Sequence, residues 1–176
     1  MSSQPVRELR VARSTVVATG NNPVLSQLLS LMKLVDAASI KLSEAELMKS
    51  LTSGQAAVYS VNQLEMAVNN GGYESFFRYR GGDVVNAAQR GLVLVNATKF
   101  AANLAAATKL LPWKRGWPER DAREEALDEL LEREPEVFDD VDTQFQACYD
   151  GVESLGAALV AYAFAHPSDF FIDAEA

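Results

Sequence analysis

The side chains best suited to chemistry in this sequence are a lone histidine, a lone cysteine and a dense set of carboxylates. His166 precedes Pro167 at the end of an apolar segment, a position more typical of a residue that ends a helix than of a catalytic base. Cys148 lies on an apolar stripe between Phe145 and Val152, so we expect a buried structural thiol rather than a nucleophile. A Cys–His dyad stays open as an alternative, without further support from the sequence.

Metal and cofactor motifs are missing from the sequence. Asp139, Asp140 and Asp142 offer oxygen ligands, but the glycine and the distal glutamate of a calcium-binding helix–loop–helix are not found at the required spacing. Zinc-ligand spacing, a phosphate-binding loop and a dinucleotide-binding glycine pattern are also missing. We therefore predict no catalytic residue, no metal site and no cofactor.

The carboxylates are concentrated in the C-terminal third of the chain. Residues 1–118 hold 13 Lys and Arg against 7 Asp and Glu, whereas residues 119–176 hold 3 against 17, so the two parts carry +6 and −14. The net charge between Glu119 and Asp142 is −9 in 24 residues. A dense carboxylate face can replace the phosphate backbone for a protein whose Lys and Arg side chains bind DNA. The alternative is a solvated helix face that keeps the protein soluble.

The acidic segment supplies the candidate partner-binding residues. They are Glu124, Glu125, Asp128, Glu129, Glu132, Asp139, Asp140 and Asp142. The basic residues at positions 78, 80, 114 and 115 mean that negative charge does not cover the whole surface. These residues could instead contact acidic regions of a second subunit. Direct binding of nucleic acid is not expected, because the sequence pI is about 4.7 and no dense basic run or aromatic-basic ladder occurs.

A second distinctive stretch runs from Asn69 to Phe77, where a polar turn leads into aromatic residues. The two glycines can adopt left-handed backbone conformations at little steric cost, which ends a helix. The three aromatic residues that follow share one helical face, and we expect them to lie in the core. Asn70 is expected to cap the helix or close the turn rather than bind a ligand. The predicted structural motif comprises Asn70, Gly71, Gly72, Tyr73, Phe76, Phe77, His166, Pro167 and Phe170.

Hydrophobic periodicity predicts an all-α protein, a single compact domain of about seven to nine helices. Ser43 and Glu46 fit a capping box, and Pro135 should interrupt the acidic helix. The loop at residues 112–118 holds two tryptophans that should attach it to the body of the protein. A stripe of apolar residues runs at helical spacing from position 138 to 162, with Gly151 as a point of bending. Leu25, Leu28, Leu29, Met32 and Val35 share one face of the first predicted helix.

The predicted organisation is a poorly defined segment at 1–20, a helical domain at 21–172 and a tail at 173–176. For residues 1–20 the sequence leaves three alternatives: a frayed helix, a short strand or disorder. The lone cysteine excludes an intrachain disulfide and no basic-then-apolar leader is present, so we expect a cytoplasmic protein. The apolar run at 154–167 is shorter than the ~20 residues that a membrane-spanning helix needs, so no membrane association is expected.

Four pieces of the sequence, in this order, resemble the small bacterial family named for DNA mimic protein nineteen, much of it known only as a domain of unknown function. They are the Asn70-Gly71-Gly72 turn with Phe76-Phe77, the Ala- and Leu-rich region after Gly81-Gly82, the segment 138–149 and the end at 162–171. The resemblance covers about residues 50–172. It implies an all-helical protein, often dimeric, and the best-known relative presents an acidic surface to a DNA-binding regulator in place of DNA.

These observations favour a non-enzymatic acidic protein-interaction module, a DNA mimic that binds the basic DNA-binding surface of a transcriptional regulator or nucleoid protein. If residues 119–142 were one helix, they would carry one net charge per ~4 Å, against one per ~1.7 Å in duplex DNA, so a homodimer is part of this hypothesis. One alternative is an immunity protein that neutralises a basic toxin. Another is a small hydrolase or metal-dependent enzyme, which requires a pocket where carboxylates converge with His166 or Cys148.

Overall fold

The computed structural model describes residues 9–113, 116–150 and 154–173, which form nine α-helices and no strand. The helices are α1 (Pro23–Ser39), α2 (Glu44–Ser50), α3 (Ser53–Tyr79), α4 (Gly82–Leu94), α5 (Thr98–Lys109), α6 (Arg120–Arg133), α7 (Asp139–Ala147), α8 (Leu155–Ala165) and α9 (Pro167–Phe170). The prediction of an all-α fold with seven to nine helices is confirmed for this part of the chain. As predicted, the acidic helix α6 ends before Pro135.

Side-chain caps fix where the early helices begin, because the first N–H groups of a helix have no partner within it. Asn22 accepts a backbone N–H bond of 3.0 Å at the start of α1. Ser43 and Glu46 form the predicted capping box of α2. Thr52 and Gln55 form a second capping box at the start of α3. These local contacts explain why three helices follow one another with short connections.

Helix α3 is the centre of the fold, and α4, α6, α7, α8 and α9 all pack against it. Its closest neighbour is α4, which returns along it. Gly91 of α4 allows this approach, because a Cβ there would lie 2.8 Å from Val61 Cγ2 and 2.9 Å from the Ala57 carbonyl oxygen. The backbones of α3 and α4 therefore lie closer together than any larger residue at position 91 would permit.

A break divides α3 at the Asn-Gly-Gly turn. Gly71 has an extended φ of −164°, whereas Gly72 has a φ of 68° and a ψ of −174°, a conformation that other residues rarely adopt. The predicted helix stop is therefore present, and Gly72 alone takes the positive φ. The chain resumes a helical conformation at once, so the segment after Gly72 points in a new direction.

The segment after the break carries the largest cluster of buried aromatic rings. Tyr73, Phe76 and Phe77 are all completely buried. The ring of Phe77 lies 6.0 Å from Trp117 and 5.8 Å from Phe138, measured between ring centroids. These two residues lie just before and just after α6, so Phe77 holds both ends of the acidic helix. The predicted attachment of the tryptophan loop is confirmed at Trp117.

The predicted first helix is present, and three of the five apolar residues on its predicted face are buried while two are not. Leu25 is 46% exposed and Leu29 is 52% exposed, whereas Leu31 is buried together with Leu28 and its neighbours. Helix α1 packs on α8 and α2 along one narrow side, and Leu25 and Leu29 lie on the flank of that side. Periodicity identified the helix, but the positions of α2 and α8 decide which of its leucines are buried.

The described part of the N-terminal segment is attached to the C-terminal end of the domain. Val11 donates its N–H to the Phe170 carbonyl at 2.9 Å and accepts the Ile172 N–H at 3.1 Å, which forms an isolated parallel bridge. A short 3-10 helix follows at Arg13–Thr15, and Val16 is buried. Residues 9–16 are thus part of the folded domain, and residues 1–8 lie outside the described chain.

The apolar stripe predicted from position 138 to 162 is divided between α7 and α8. Phe145 of α7 and Leu159 of α8 are fully buried, as the spacing predicted. The predicted bend at Gly151 lies outside the described residues. No helix in the described ranges is long and apolar enough to cross a membrane.

Replacing Phe77 with Ala should lower the free energy of unfolding by about 3–5 kcal/mol, because it removes a fully buried ring and leaves a cavity between Trp117 and Phe138. Tyr79→Ala is the matched control, since Tyr79 is 55% exposed and should change stability by about 1 kcal/mol or less. Urea unfolding followed by circular dichroism measures both values. Equal losses in the two variants would contradict the packing described here.

Candidate functional site

Helix α6 has one buried side and one acidic side. Its buried residues are Arg123, Leu127 and Leu130. The acidic stripe, as we name it, consists of Asp121, Glu125, Asp128 and Glu132, all exposed. Their spacing of four, three and four residues places them in line along the helix, over about 16 Å. Sequence reasoning missed Asp121, although the same spacing would have identified it.

A buried arginine holds α6 against the aromatic half of α3. Arg123 is only 5% exposed, and its guanidinium donates to the Pro118 carbonyl at 3.2 Å and to the Arg78 carbonyl at 3.4 Å. Burial lowers the pKa of Arg123, and the carboxylate of Glu44 opposes that effect. Sequence reasoning did not identify this residue, although it occupies the same helical face as Leu127.

Two of the predicted carboxylates make ion pairs inside the chain. Arg78 lies 2.8 Å from Asp128 and 2.9 Å from Glu74, and Arg120 lies 2.8 Å from Glu124. Exposed ion pairs contribute only about 0–1 kcal/mol each, so these contacts orient the side chains more than they stabilise the fold. Arg78 thus contacts the acidic helix of its own subunit.

The other carboxylates of α6 have no such partner. Glu125, Glu129 and Glu132 are exposed and make no ion pair with any residue that the structure describes. Lys114 and Arg115, the basic residues nearest in sequence, lie outside the described ranges. These three glutamates are therefore the part of the predicted site most open to an external cation.

The three aspartates at the start of α7 have different surroundings. Asp139 and Asp140 are exposed in the first turn, where negative charge also stabilises the helix end. Asp142 is half-buried, and its Oδ1 accepts the Tyr73 N–H at 2.8 Å. Burial raises the pKa of Asp142, and the hydrogen bond from Tyr73 opposes that rise. A Cβ at Gly72 would collide with the Asp142 carboxylate. The carboxylate can therefore occupy this position only because residue 72 is a glycine.

The Asn-Gly-Gly turn is fixed by polar contacts on both sides. Asn70 Nδ2 donates to the Met66 carbonyl at 2.7 Å, so this side chain caps the last turn of the helix before the break. The Tyr73 hydroxyl donates to Asn103 Oδ1 at 2.6 Å, and Asn103 Nδ2 donates to the Val141 carbonyl at 3.0 Å. These buried bonds join α3, α5 and α7.

A second polar network links the same turn to α7 at the surface. The Tyr149 hydroxyl donates to Glu65 Oε1 at 2.9 Å, and Asn69 Nδ2 donates to the same hydroxyl at 3.3 Å. Gln146 Nε2 donates to Asn69 Oδ1 at 2.9 Å. Burial raises the pKa of Glu65. The network was not predicted, because it joins residues about eighty positions apart.

His166 and Cys148 lie in different parts of the structure. His166 links α8 to α9, is exposed, stacks on Tyr162 at 4.1 Å and places its Nδ1 2.9 Å from the Tyr162 carbonyl oxygen. Pro167 begins α9, and Phe170 is buried. Cys148 is buried beside α5, and burial raises the pKa of its thiol. In residues 9–113, 116–150 and 154–173, no group of three or more His, Cys, Asp or Glu could hold a metal ion.

The fold and this surface define a small all-helical protein that exposes a row of carboxylates. The family model described as DMP19-like protein matches residues 49–166, and the chain belongs to that family. The match begins within α2 and includes the Asn-Gly-Gly turn, the aromatic cluster and the whole of α6. No curated protein and no solved structure matches the chain.

Replacing Asp142 with Ala should destabilise the protein by about 1–3 kcal/mol, because the part-buried N–H of Tyr73 loses its acceptor. Asp142→Asn keeps an acceptor oxygen and should cost less. Asp140→Ala is the matched control, since this exposed neighbour should cost less than about 1 kcal/mol. Chemical denaturation measures all three variants, and similar losses for Asp142→Ala and Asp140→Ala would show that the turn does not depend on Asp142.

Proposed function

We propose that this protein is a non-enzymatic interaction module whose acidic α6 binds the basic DNA-binding surface of a transcriptional regulator or nucleoid protein. The observation that supports this most directly is the acidic stripe, with its four exposed carboxylates in line. Membership of the DMP19-like family is consistent with a DNA-mimic type of module. The proposal assigns no catalytic residue and no cofactor, and places the protein in the bacterial cytoplasm.

The rigidity of the acidic helix supports this function. A partner that binds flexible carboxylates must order them, which costs conformational entropy. Here α6 is held by the buried Arg123, and Phe77 packs against the residues on either side of the helix. The carboxylates are therefore presented on a fixed backbone, as the phosphates of a nucleic acid are.

The spacing of the carboxylates on the exposed side of α6 is close to the phosphate spacing of one DNA strand, while six carboxylates and three arginines give the whole helix a net charge of −3. The acidic stripe together with Glu129 provides five carboxylates over about 16 Å, or one per ~4 Å, against one phosphate per ~3.4 Å of a single strand. Duplex DNA carries one charge per ~1.7 Å. Two copies of α6 side by side would bring the spacing of the carboxylates close to the spacing of the phosphates in duplex DNA. Homodimerisation is therefore part of the proposal. Within one copy, a partner's arginine at Asp128 would compete with Arg78.

Neutralising the acidic stripe should weaken capture of the partner. The bait is the full chain, incubated with native cell lysate at low salt, and the variant is Glu125→Gln with Glu132→Gln. Two exposed charge contacts are worth about 1.4 kcal/mol together, so the partner's affinity should fall about tenfold. The matched control is Asp150→Asn with Asp173→Asn, which removes the same charge from exposed positions outside α6.

The partner should be a basic DNA-binding protein, retained by wild type and control but weakly by the stripe variant. Binding should fall with rising salt, with a shallower dependence in the stripe variant. Light scattering of the purified complex should find two copies of this chain. Equal capture by all three baits would place recognition outside the stripe, and recovery of a basic toxin would instead support an immunity protein.

A further inference from the structure

A groove of about 440 Å³ lies between α2 and α4, over the first turns of α3. Along α4 its wall is formed by Asp83, Ala87, Arg90 and Leu94, whose spacing of four, three and four residues gives a straight edge of about 16 Å. The facing wall on α2 includes Met48 and Lys49. The groove shares no residue with the acidic stripe, and nothing proposed for α6 uses it.

The floor of the groove consists of small residues and its rim carries an exposed leucine. Ala56, Ala57 and Ser53 of α3 line the floor, so a backbone can approach it closely. Leu94 is 51% exposed and supplies apolar surface at the rim. A linear groove with small residues below and apolar residues at its edges fits a helix of about three turns.

The charges on the two walls indicate what the helix would carry. Lys49 and Arg90 are both exposed, and neither makes an ion pair with a residue that the structure describes. Among the described residues that line the groove they are the cations, and Asp83 at one end is the carboxylate. In a protein with a net charge of −8, two cations on facing walls form a local site for negative charge.

We propose that this groove binds an acidic amphipathic helical segment of a protein partner. Apolar side chains at positions i, i+3 or i+4 and i+7 of that segment pack on Leu94, Met48 and the floor. Carboxylates on the flanks of the segment contact Lys49 and Arg90. The protein would thus have two recognition surfaces of opposite charge. The acidic helix α6 binds basic side chains of one partner, and the groove binds an acidic helix of another.

A library of 14-residue peptides displayed on phage tests the groove, with the full-length protein as bait. The expected result is a class of acidic amphipathic peptides whose affinity falls about tenfold for Lys49→Glu with Arg90→Glu, since two attractive charge contacts become repulsive. Lys33→Glu with Lys109→Glu is the matched control, because it reverses two exposed lysines outside the groove. Leu94→Ser should weaken the same peptides. The amide NMR signals of Ala45 and Ala87 should shift on titration of the wild type.

Several results would overturn the proposal. They are a library without an acidic amphipathic class, peptides that bind the two charge-reversal variants equally, and NMR shifts confined to other helices. Self-association of the protein that is lost in Lys49→Glu with Arg90→Glu, measured by sedimentation, would assign the groove to a second copy of this chain. Circular dichroism spectra equal to wild type establish that each variant is folded.

Discussion

Tyr73 is the residue on which the rest of the structure depends. Its N–H is accepted by Asp142, its hydroxyl donates to Asn103, and its ring lies 5.5 Å from Phe77. One residue, through its backbone N–H and its side chain, therefore joins α3, α5 and α7 at the point where the backbone of α3 changes direction. Because Tyr73 is fully buried, each polar atom it carries must have a partner inside the protein. The partners are residues that only the folded chain brings together, so the turn, the aromatic cluster and the start of α7 stabilise one another.

The acidic surface follows from this junction. Once Gly72 has redirected α3, Phe77 contacts the residues on both sides of α6, and the backbone carbonyl of Arg78 accepts a bond from Arg123. The acidic helix is thereby held by the aromatic cluster of the core. Mutual repulsion among its carboxylates is opposed by this packing and, for Asp128 and Glu124, also by the ion pairs with Arg78 and Arg120. A surface that stays charged and stays ordered is what recognition of a cationic partner requires.

Local rules accounted for much of the fold. The capping box at Ser43, the break at Gly72 and the helix end before Pro135 each depend on residues within a few positions, so the sequence was enough to predict them. Periodicity placed Leu25 and Leu29 on the apolar face of α1 but could not show that both are exposed, because the packing of distant helices determines burial. The bond between Asp142 and Tyr73 spans 69 positions and has no local signal. For the same reason the sequence grouped Asp142 with the exposed carboxylates, whereas its contact belongs to the turn. The stripe was only partly identified, and helical spacing alone would have added Asp121.

Competition with DNA tests the central claim most directly. The captured basic partner is bound to a fluorescently labelled duplex that carries its site, and fluorescence anisotropy is followed as this protein is added. If α6 occupies the DNA-binding surface, anisotropy falls to the value of free duplex as the concentration of this protein rises, because the partner cannot bind both at once. If the duplex stays bound while this protein joins it in a ternary complex, the acidic stripe does not take the place of DNA and the account is wrong.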